Sequence, residues 1–434
     1  MLLDSFSEFL SDLTLLKALA YFWPFFLIDM SRYLLLDFIV LIFYIPKRYR
    51  KRHAYAAARR RLFRERPLIS VIVPGKNEGK HLAQLARTLT LQSYKNIESI
   101  IVDDGSDDET PLICRRLLRQ GKITRFFRNE IRGGKASAAN TALRYVRGKY
   151  VIHLDADSHL SPDAIEKVLL PFYMDDRIGA VGGDIRVANV NSTLATRFQT
   201  IEYFKTISTG RTVSSELGIL RIIGGAFGAF RTDILQRLYG WDVGPGLDGD
   251  ITMKIRKLGY KVVHEPFAVC YTNVPDSFRK LARQRFRWNR SLVRFRIRKH
   301  RDILLPSKNF NLSNFLASFD NIFFNLFLNM KWWLYLAQLL IIDPGHIEII
   351  MLINLVLYGV ANILEFGIAV ALLAGTMYWR ELALFVYLPL IPLYTGFYIR
   401  SIRSLAYLLE FVCRVSYFDK WNPWKVSNVV RNLE

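Results

Sequence analysis

KYVIHLDADSHL, residues 149–160, is the stretch on which the fold turns. Its first half is a short apolar run with β-branched and aromatic side chains, and it breaks into the polar sequence Asp155-Ala156-Asp157-Ser158. That is the form of a buried strand running into a loop. LISVIVPGKNE (68–78) and IESIIVDDGSDD (97–108) have the same form upstream. Repeated buried strands separated by helical patterns predict a parallel α/β sheet. Ligands of such sheets sit at the carboxyl ends of the strands, and all three polar loops fall there.

The rest of the 434-residue chain is more apolar and more basic than such a domain requires, with 51% hydrophobic residues and a formal net charge of +22. The charge is not evenly spread. Ten Lys and Arg fall in KRYRKRHAYAAARRRLFRER (47–66), directly after a long apolar stretch. A basic block abutting a membrane segment follows the positive-inside pattern and puts residues from about 47 onward in the cytoplasm. The apolar stretch is too long for the core of a cleaved signal. Three further apolar runs follow residue 309 and are candidate spans. Their number is left open, because Asp29 and Arg32 interrupt the first stretch and a basic tail with Arg400, Arg403, Arg414, Lys420 and Lys425 should also be cytoplasmic. Cys114, Cys270 and Cys413 are odd in number, far apart and without zinc-type spacing, which argues against a structural disulfide or a zinc site.

The carboxylates carry the chemistry. Asp155 and Asp157 are two apart at a strand end, where alternate residues face one side, and two hard oxygen donors there suit Mg2+ or Mn2+ held against a diphosphate. Asp103 and Asp104 suit a nucleobase or ribose, although Asp-Asp-Gly is also ordinary turn chemistry. RGGKASAAN (132–140) opens a small-residue helix whose amide groups, with Lys135, are expected at a phosphate. Asp248 and Asp250, just before a helix, read equally as an N-cap or as a base for an acceptor hydroxyl. In QRFRW (284–288), Gln284, Arg287 and Trp288 share one helical face, so an amide, a cation and an indole address one site. The cations around them, Arg283, Arg290, Arg294 and Arg298, suit a helix lying on an anionic leaflet.

In this order, VDDGS, DADS, LDGD and QRFRW resemble the motifs of the processive family 2 glycosyltransferases, the hyaluronan, chitin, cellulose and poly-N-acetylglucosamine synthases, over roughly residues 68–290. The resemblance implies a GT-A-type, Rossmann-like cytoplasmic domain at 67–275 and interfacial amphipathic helices at 276–308. With the apolar pattern it implies transmembrane segments at 1–46 and 309–400, a basic juxtamembrane linker at 47–66 and a basic cytoplasmic tail at 401–434. It puts Asp103 and Asp104 by the uridine, together with Pro74, Asn77 and Glu78 of the first loop and Lys135. Asp155 is expected at the ribose and diphosphate, Asp157 as principal metal ligand and Asp248 as catalytic base. Gln284, Arg287 and Trp288 are expected to brace the diphosphate and acceptor sugar. Gly224, Gly225 and Phe227 of IGGAFGAF, with Glu202 and Tyr203, are expected at the acceptor. Lys76 stands where the family often has an aromatic residue, and Leu247 precedes Asp248, which keeps Asp250 as a substitute base. His264 reads as structural.

The expected activity is inverting polymerisation of a β-linked polysaccharide from UDP-N-acetylglucosamine, UDP-glucuronate or UDP-glucose by a multi-pass protein of the plasma (inner) membrane. The growing polysaccharide is the acceptor, and a small membrane partner subunit is compatible with the pattern. A glycolipid synthase adding one or a few sugars is the alternative. The positive charge is ascribed to the bilayer and the phosphorylated donor, and no nucleic acid is expected.

Overall fold

The computed structural model describes residues 2–244, 246–305 and 310–418. Lys420 and Lys425 of the expected tail lie outside the described residues. The three stretches read as strands are β1 (Ile69–Gly75), β2 (Ile97–Asp103) and β4 (Tyr150–Leu154), with β3 (Arg125–Arg128) between the last two. Further on come β5 (Ser158–Leu160), β6 (Ile178–Val187), β7 (Phe227–Arg231) and β8 (Lys261–Thr272). They form one sheet in the order β3-β2-β1-β4-β7-β6-β8-β5.

The sheet is mixed, not parallel as expected. β3, β2, β1 and β4 run parallel, but β7 lies antiparallel to both β4 and β6, and β5 antiparallel to β8. Strands buried on both faces carry no alternation, so the direction of a run such as FGAFR is not encoded in its pattern. The consequence is functional. β4 and β7 meet so that Leu154 pairs with Phe227, which brings the loop after β4 against the turn before β7.

One face of the sheet packs Val71, Val73 and Ile101 against Leu82, Leu85, Cys114 and Leu117. The other packs Ile72, Ile100 and Val102 against the alanines of the helix Lys135–Leu143, which lets that helix approach the strands closely. The basic segment 47–66 is helical, not an open linker: the helix Arg52–Glu65 buries Ala58 and Leu62 in the first of these cores. Arg48 fixes its entry by donating to both carboxylate oxygens of Glu265, at 3.2 and 2.9 Å.

The apolar stretches are helices. Among the described residues two are long and apolar enough, by length and composition, to cross a membrane, Ile347–Leu372 and Trp379–Cys413. They pack against the helix Leu194–Tyr203 through Phe366, Leu388 and Tyr394, and the loop between them is tied to β6 by Arg186, which donates to the Thr376 carbonyl at 2.6 Å and its hydroxyl at 2.9 Å.

Gly183 marks the tightest point of the sheet. A Cβ there would lie inside the surface of the Phe227 ring and 2.8 Å from the Ala268 carbonyl oxygen. Gly183→Ala is therefore expected to cost ~1–3 kcal/mol through overpacking, read as a lowered thermal unfolding midpoint of the detergent-solubilised protein.

Candidate active site

The loops after β1 and β2 are stitched together before any ligand is considered. Lys76 donates to the Gly105 carbonyl at 2.7 Å and pairs with Asp107 at 3.0 Å, so the position where the family often has an aromatic ring serves as a tie. The Asn77 amide donates to the Ser106 hydroxyl at 2.8 Å, while Asn77 Oδ1 accepts from the Asp107 amide at 2.9 Å. Asn77 has φ 58°, a left-handed conformation that asparagine tolerates better than most residues. Pro74 is held within the β1–β2 ladder, opposite Val102.

Asp103 and Asp104 are both buried and differ in task. Asp103 accepts from the Ser106 amide at 3.0 Å and from its hydroxyl. Asp104 accepts from the amides of Gly133 and Gly134 at 2.8 and 2.7 Å and from Asn129 at 3.1 Å. The two glycine amides expected at a phosphate are therefore donated to Asp104. Gly134, at φ 84°, starts the helix that carries Lys135. Asp104 thus sets where Lys135 stands.

Lys135 reaches across to Asp155, to whose carboxylate it donates. Burial works against its charge, but the fields of Asp155, Asp248 and Asp157 outweigh burial and hold its pKa above the ordinary lysine value. The acids around it outnumber it. Asp157, which accepts from Thr272 at 3.3 Å, is pushed up to about 6 by burial and by the Asp155 charge. Glu78 is pushed up to about 7 by burial, then by Asp157 and Asp155. A pocket with more carboxylates than cations is one in which a hard divalent cation is electrostatically favoured, although no cluster of three or more His, Cys, Asp or Glu ligands occurs among the described residues.

Asp248 closes the site from the other side. Its carboxylate accepts from the Gly225 amide at 2.9 Å, and its pKa is raised, by burial first, with Lys135 opposing. Gly225 is required: a Cβ there would meet the two Asp248 oxygens at 2.5 and 2.7 Å. Beneath the turn lies a residue that sequence reasoning missed. His153 of β4, two positions before Asp155, lies 2.7 Å through Nδ1 from the Gly225 carbonyl and packs on Trp241 at 5.4 Å. Burial pushes its pKa down to about 4, so it is a neutral strut. The only signal was a histidine inside an otherwise apolar strand.

Asp250 does not share the site. It is buried against His300 Nε2 and Lys299 Nζ, both at 2.7 Å, and ties the helix Leu247–Lys257 to the segment after QRFRW. Its expected role as a substitute base is thereby corrected: one oxygen accepts from the Lys299 ammonium and the other lies against the His300 ring. Phe227 is corrected too, since it is a fully buried core residue at the first position of β7 and not an acceptor contact. Gly224 packs under Ile185 and Arg211. His264 is buried with a pKa pushed down to about 3, first by burial and then by Arg211, as a structural histidine would be.

QRFRW lies on the helix Phe278–Ser291. Gln284 is half-buried and Trp288 is exposed on one edge. The unanticipated member is Arg285, which stacks on Trp288 at 4.5 Å and donates to Glu202 at 2.9 Å. Tyr394, from the second long apolar helix, donates to the same Glu202 oxygen at 2.8 Å. Glu202 and the buried Tyr203 are thus brought to the QRFRW helix and to the apolar helices at once.

The model of glycosyl transferase family 2 matches residues 70–239. That segment is similar to the family 2 glycosyltransferases. Asp103, at the end of β2, and Asp104, Asp155 and Asp157, in the loops after β2 and β4, fall within the matched segment, while Asp248 and QRFRW lie beyond it. The poly-beta-1,6-N-acetyl-D-glucosamine synthase of Staphylococcus epidermidis is 30% identical over 221 residues, which cover 51% of this chain and 53% of that protein. Its counterpart in Staphylococcus aureus is 29% identical over the same shares. The chain thus matches about half the length of these curated relatives. Among solved structures, a mannosyltransferase from Pyrobaculum calidifontis, in complex with GDP-Man and Mn2+, superposes with a TM-score of 0.56 at 21% identity, covering 87% of this chain and 99% of that one. The likeness is one of fold, a GT-A-type mixed sheet.

A carboxylate held in a buried site is costly to the fold when charged. Because the folded-state pKa of Asp248 is raised, its charge destabilises the protein above that pKa, and the penalty vanishes below the unfolded pKa. Asp248→Asn is therefore expected to unfold at a temperature equal to or above that of the wild type at pH 7, with the difference shrinking as the pH falls toward 4. A lower midpoint at pH 7 would make Asp248 a structural residue.

Proposed function

We propose that the chain is a membrane-embedded inverting glycosyltransferase that polymerises a β-linked polysaccharide from a UDP-sugar. UDP-N-acetylglucosamine is the first donor to consider, since the relatives over 51% of the chain are named for that sugar. The observation that carries the reading is the Asp248 carboxylate, oriented by the Gly225 amide at 2.9 Å at the rim of the cleft that holds Lys135, Asp155 and Asp157. A carboxylate with a raised pKa, held still and facing a donor pocket, is what a general base for a hydroxyl requires.

In this mechanism Asp248 takes the proton of the acceptor hydroxyl. The acceptor oxygen forms a bond to the anomeric carbon as the bond from that carbon to the UDP oxygen breaks, and UDP leaves with the electron pair. Arg287 binds the diphosphate as its charge grows, and Trp288 stacks on the acceptor sugar. Asp157 and Asp155 would hold Mg2+ or Mn2+, which supplies charge neutralisation at the diphosphate. Lys135 keeps Asp155 in place and adds a fixed positive charge. Asp103 and Asp104 act mainly by holding the loops that shape the uridine end, with Pro74, Asn77 and Glu78 on its other wall.

The cytoplasmic orientation of this domain and passage of the polymer between the apolar helices belong to the same proposal. Charged groups inside apolar helices are retained where they pair or line a polar path. Here Arg32 reaches Asp320 and Asp37, both at 3.2 Å, and Lys205 of the transferase domain reaches Glu365 of the first long apolar helix at 2.5 Å.

The test is UDP release from detergent-purified protein given UDP-N-acetylglucosamine with Mg2+ or Mn2+. Asp248→Asn should lower the rate ~10²–10⁴-fold, the range for loss of general base catalysis. Gly225→Ala should lower it ~10²-fold by displacing the carboxylate. Gly249→Ala, where the nearest atoms to a Cβ lie at 3.6 and 3.9 Å, should leave it within a few-fold. A product that extends to polymer on a gel supports the reading; one or two sugars on lipid would make the protein a glycolipid synthase, and no release from any UDP-sugar would sink it.

A further inference from the structure

A cavity of about 1050 Å³ shares no lining residue with QRFRW or with the carboxylates around Lys135. It opens between the end of the helix Leu36–Arg50, the start of β8 and the start of the helix Leu312–Ile322. Six cationic side chains line it, Lys47, Lys51, Arg61, Arg177, Arg256 and Lys261, against three carboxylates, Asp175, Glu216 and Glu265. Of the three, Glu265 is already taken up by Arg48, Asp175 is shared by Arg177 and Lys261 at 3.0 and 2.9 Å, and Glu216 accepts from Lys47 at 2.6 Å. Arg61 pairs with Glu65 at 2.7 Å, which leaves the charges of Lys51 and Arg256 unmet by any of the three lining carboxylates. Arg256, at the inner wall, finds only neutral oxygens: the Gly218, Leu220 and Ser313 carbonyls, the Ser313 hydroxyl and Asn314. The cavity is therefore short of negative charge.

Its rim is amphipathic in a specific direction. Ile39, Phe43 and Lys47 follow one another at intervals of four residues in a column on the helix Leu36–Arg50, and Lys51 extends it at the helix C-cap. The lower half of the column is exposed and apolar, and the upper half is cationic and lines the cavity. Across the mouth, Leu312, Leu316 and Phe319 are exposed on the helix whose first residues, Ser313 and Asn314, also line the cavity. A ligand that meets both features carries a phosphate at one end and hydrocarbon at the other. A soluble phosphate compound would leave the apolar half of the column uncovered.

We infer that this cavity is a binding site for the headgroup of an anionic phospholipid whose acyl chains lie along Ile39 and Phe43 on one side and Leu316 and Phe319 on the other. The inference rests on the reading of these helices as membrane segments. Basic pockets where apolar helices meet the cytoplasmic surface attract such headgroups, with each Lys or Arg contributing to the attraction, and the tyrosines Tyr44, Tyr55 and Tyr173 give the wall the aromatic character of a membrane interface.

The experiment is native mass spectrometry of the full chain in detergent, titrated with dioleoyl phosphatidylglycerol, with dioleoyl phosphatidylcholine or with glycerol 1-phosphate. Phosphatidylglycerol adducts should exceed phosphatidylcholine adducts by about tenfold or more. They should fall to the phosphatidylcholine level in the combined variant Lys47→Gln, Lys51→Gln, Lys261→Gln and persist in the corresponding Arg variant, with UDP release unchanged in both. Phosphatidylglycerol adducts undiminished in the Gln variant, or glycerol 1-phosphate competing as well as the lipid, would overturn the inference. Protein that is washed from membranes by alkaline carbonate would instead overturn the membrane reading beneath it, whereas retention in membranes without lipid selectivity removes this inference alone.

Discussion

One ammonium group among several carboxylates is the constraint around which this molecule is organised. Glu78, Asp155, Asp157 and Asp248 all surround Lys135, and burial, joined by the Asp155 charge, raises the proton affinity of Glu78, Asp157 and Asp248. Inside a protein such repulsion is weakly screened, so the acids must be held apart by their anchors. Asp155 has Lys135, Asp157 has Thr272 and Asp248 has the Gly225 amide. Lys135 in turn depends on Asp104, which captures the two glycine amides at the start of its helix. Removing any of these ties would release a charge toward its like neighbours, which is why so many hydrogen bonds near the cleft join loop to loop.

How much of this could be read from the sequence depended on whether a residue's role is local. The strands ending at Gly75, Asp103 and Leu154 announce themselves, because a buried run breaking into a polar loop is a local pattern. Asp248, Lys135 and the Asp155/Asp157 pair are legible for the same reason. The direction of β7 is not, since a strand buried on both faces has no side to mark. Phe227 was misplaced because its neighbours Gly224 and Gly225 make the segment look like an open loop, while the sheet closes over its ring. His153 and Arg285 act through partners 72 and 83 residues away, and no spacing rule reaches that far. Asp250 and Asp248 look equivalent in the chain, yet the first turn of a helix points them in different directions, one into the cleft and one toward His300.

The segment 47–66 shows a different limit. Its ten cations dominate the composition and suggest a solvated linker, yet Tyr55, Ala58 and Leu62 recur at the spacing of one helical face and pack inward. Charge on one side of a helix conceals the apolar stripe on the other when only composition is considered.

The same argument applies to the apolar stretches, where single charges interrupt the pattern and blur the number of segments. Asp29, Arg32 and Asp37 look like breaks in the first stretch, as Asp320 and Lys331 do in a later one. They are partners: Arg32 pairs with Asp320 at 3.2 Å, and Lys331 lies 3.6 Å from Asp29. A charge within an apolar helix is costly alone and tolerable when met, so each of these interruptions specifies a neighbour that hydropathy cannot name. Lys205 extends the rule to the catalytic domain, since its partners Glu365 and Asn362 belong to an apolar helix. The domain and the apolar helices each leave a buried charge that only the other can satisfy, and for that reason they form one structural unit.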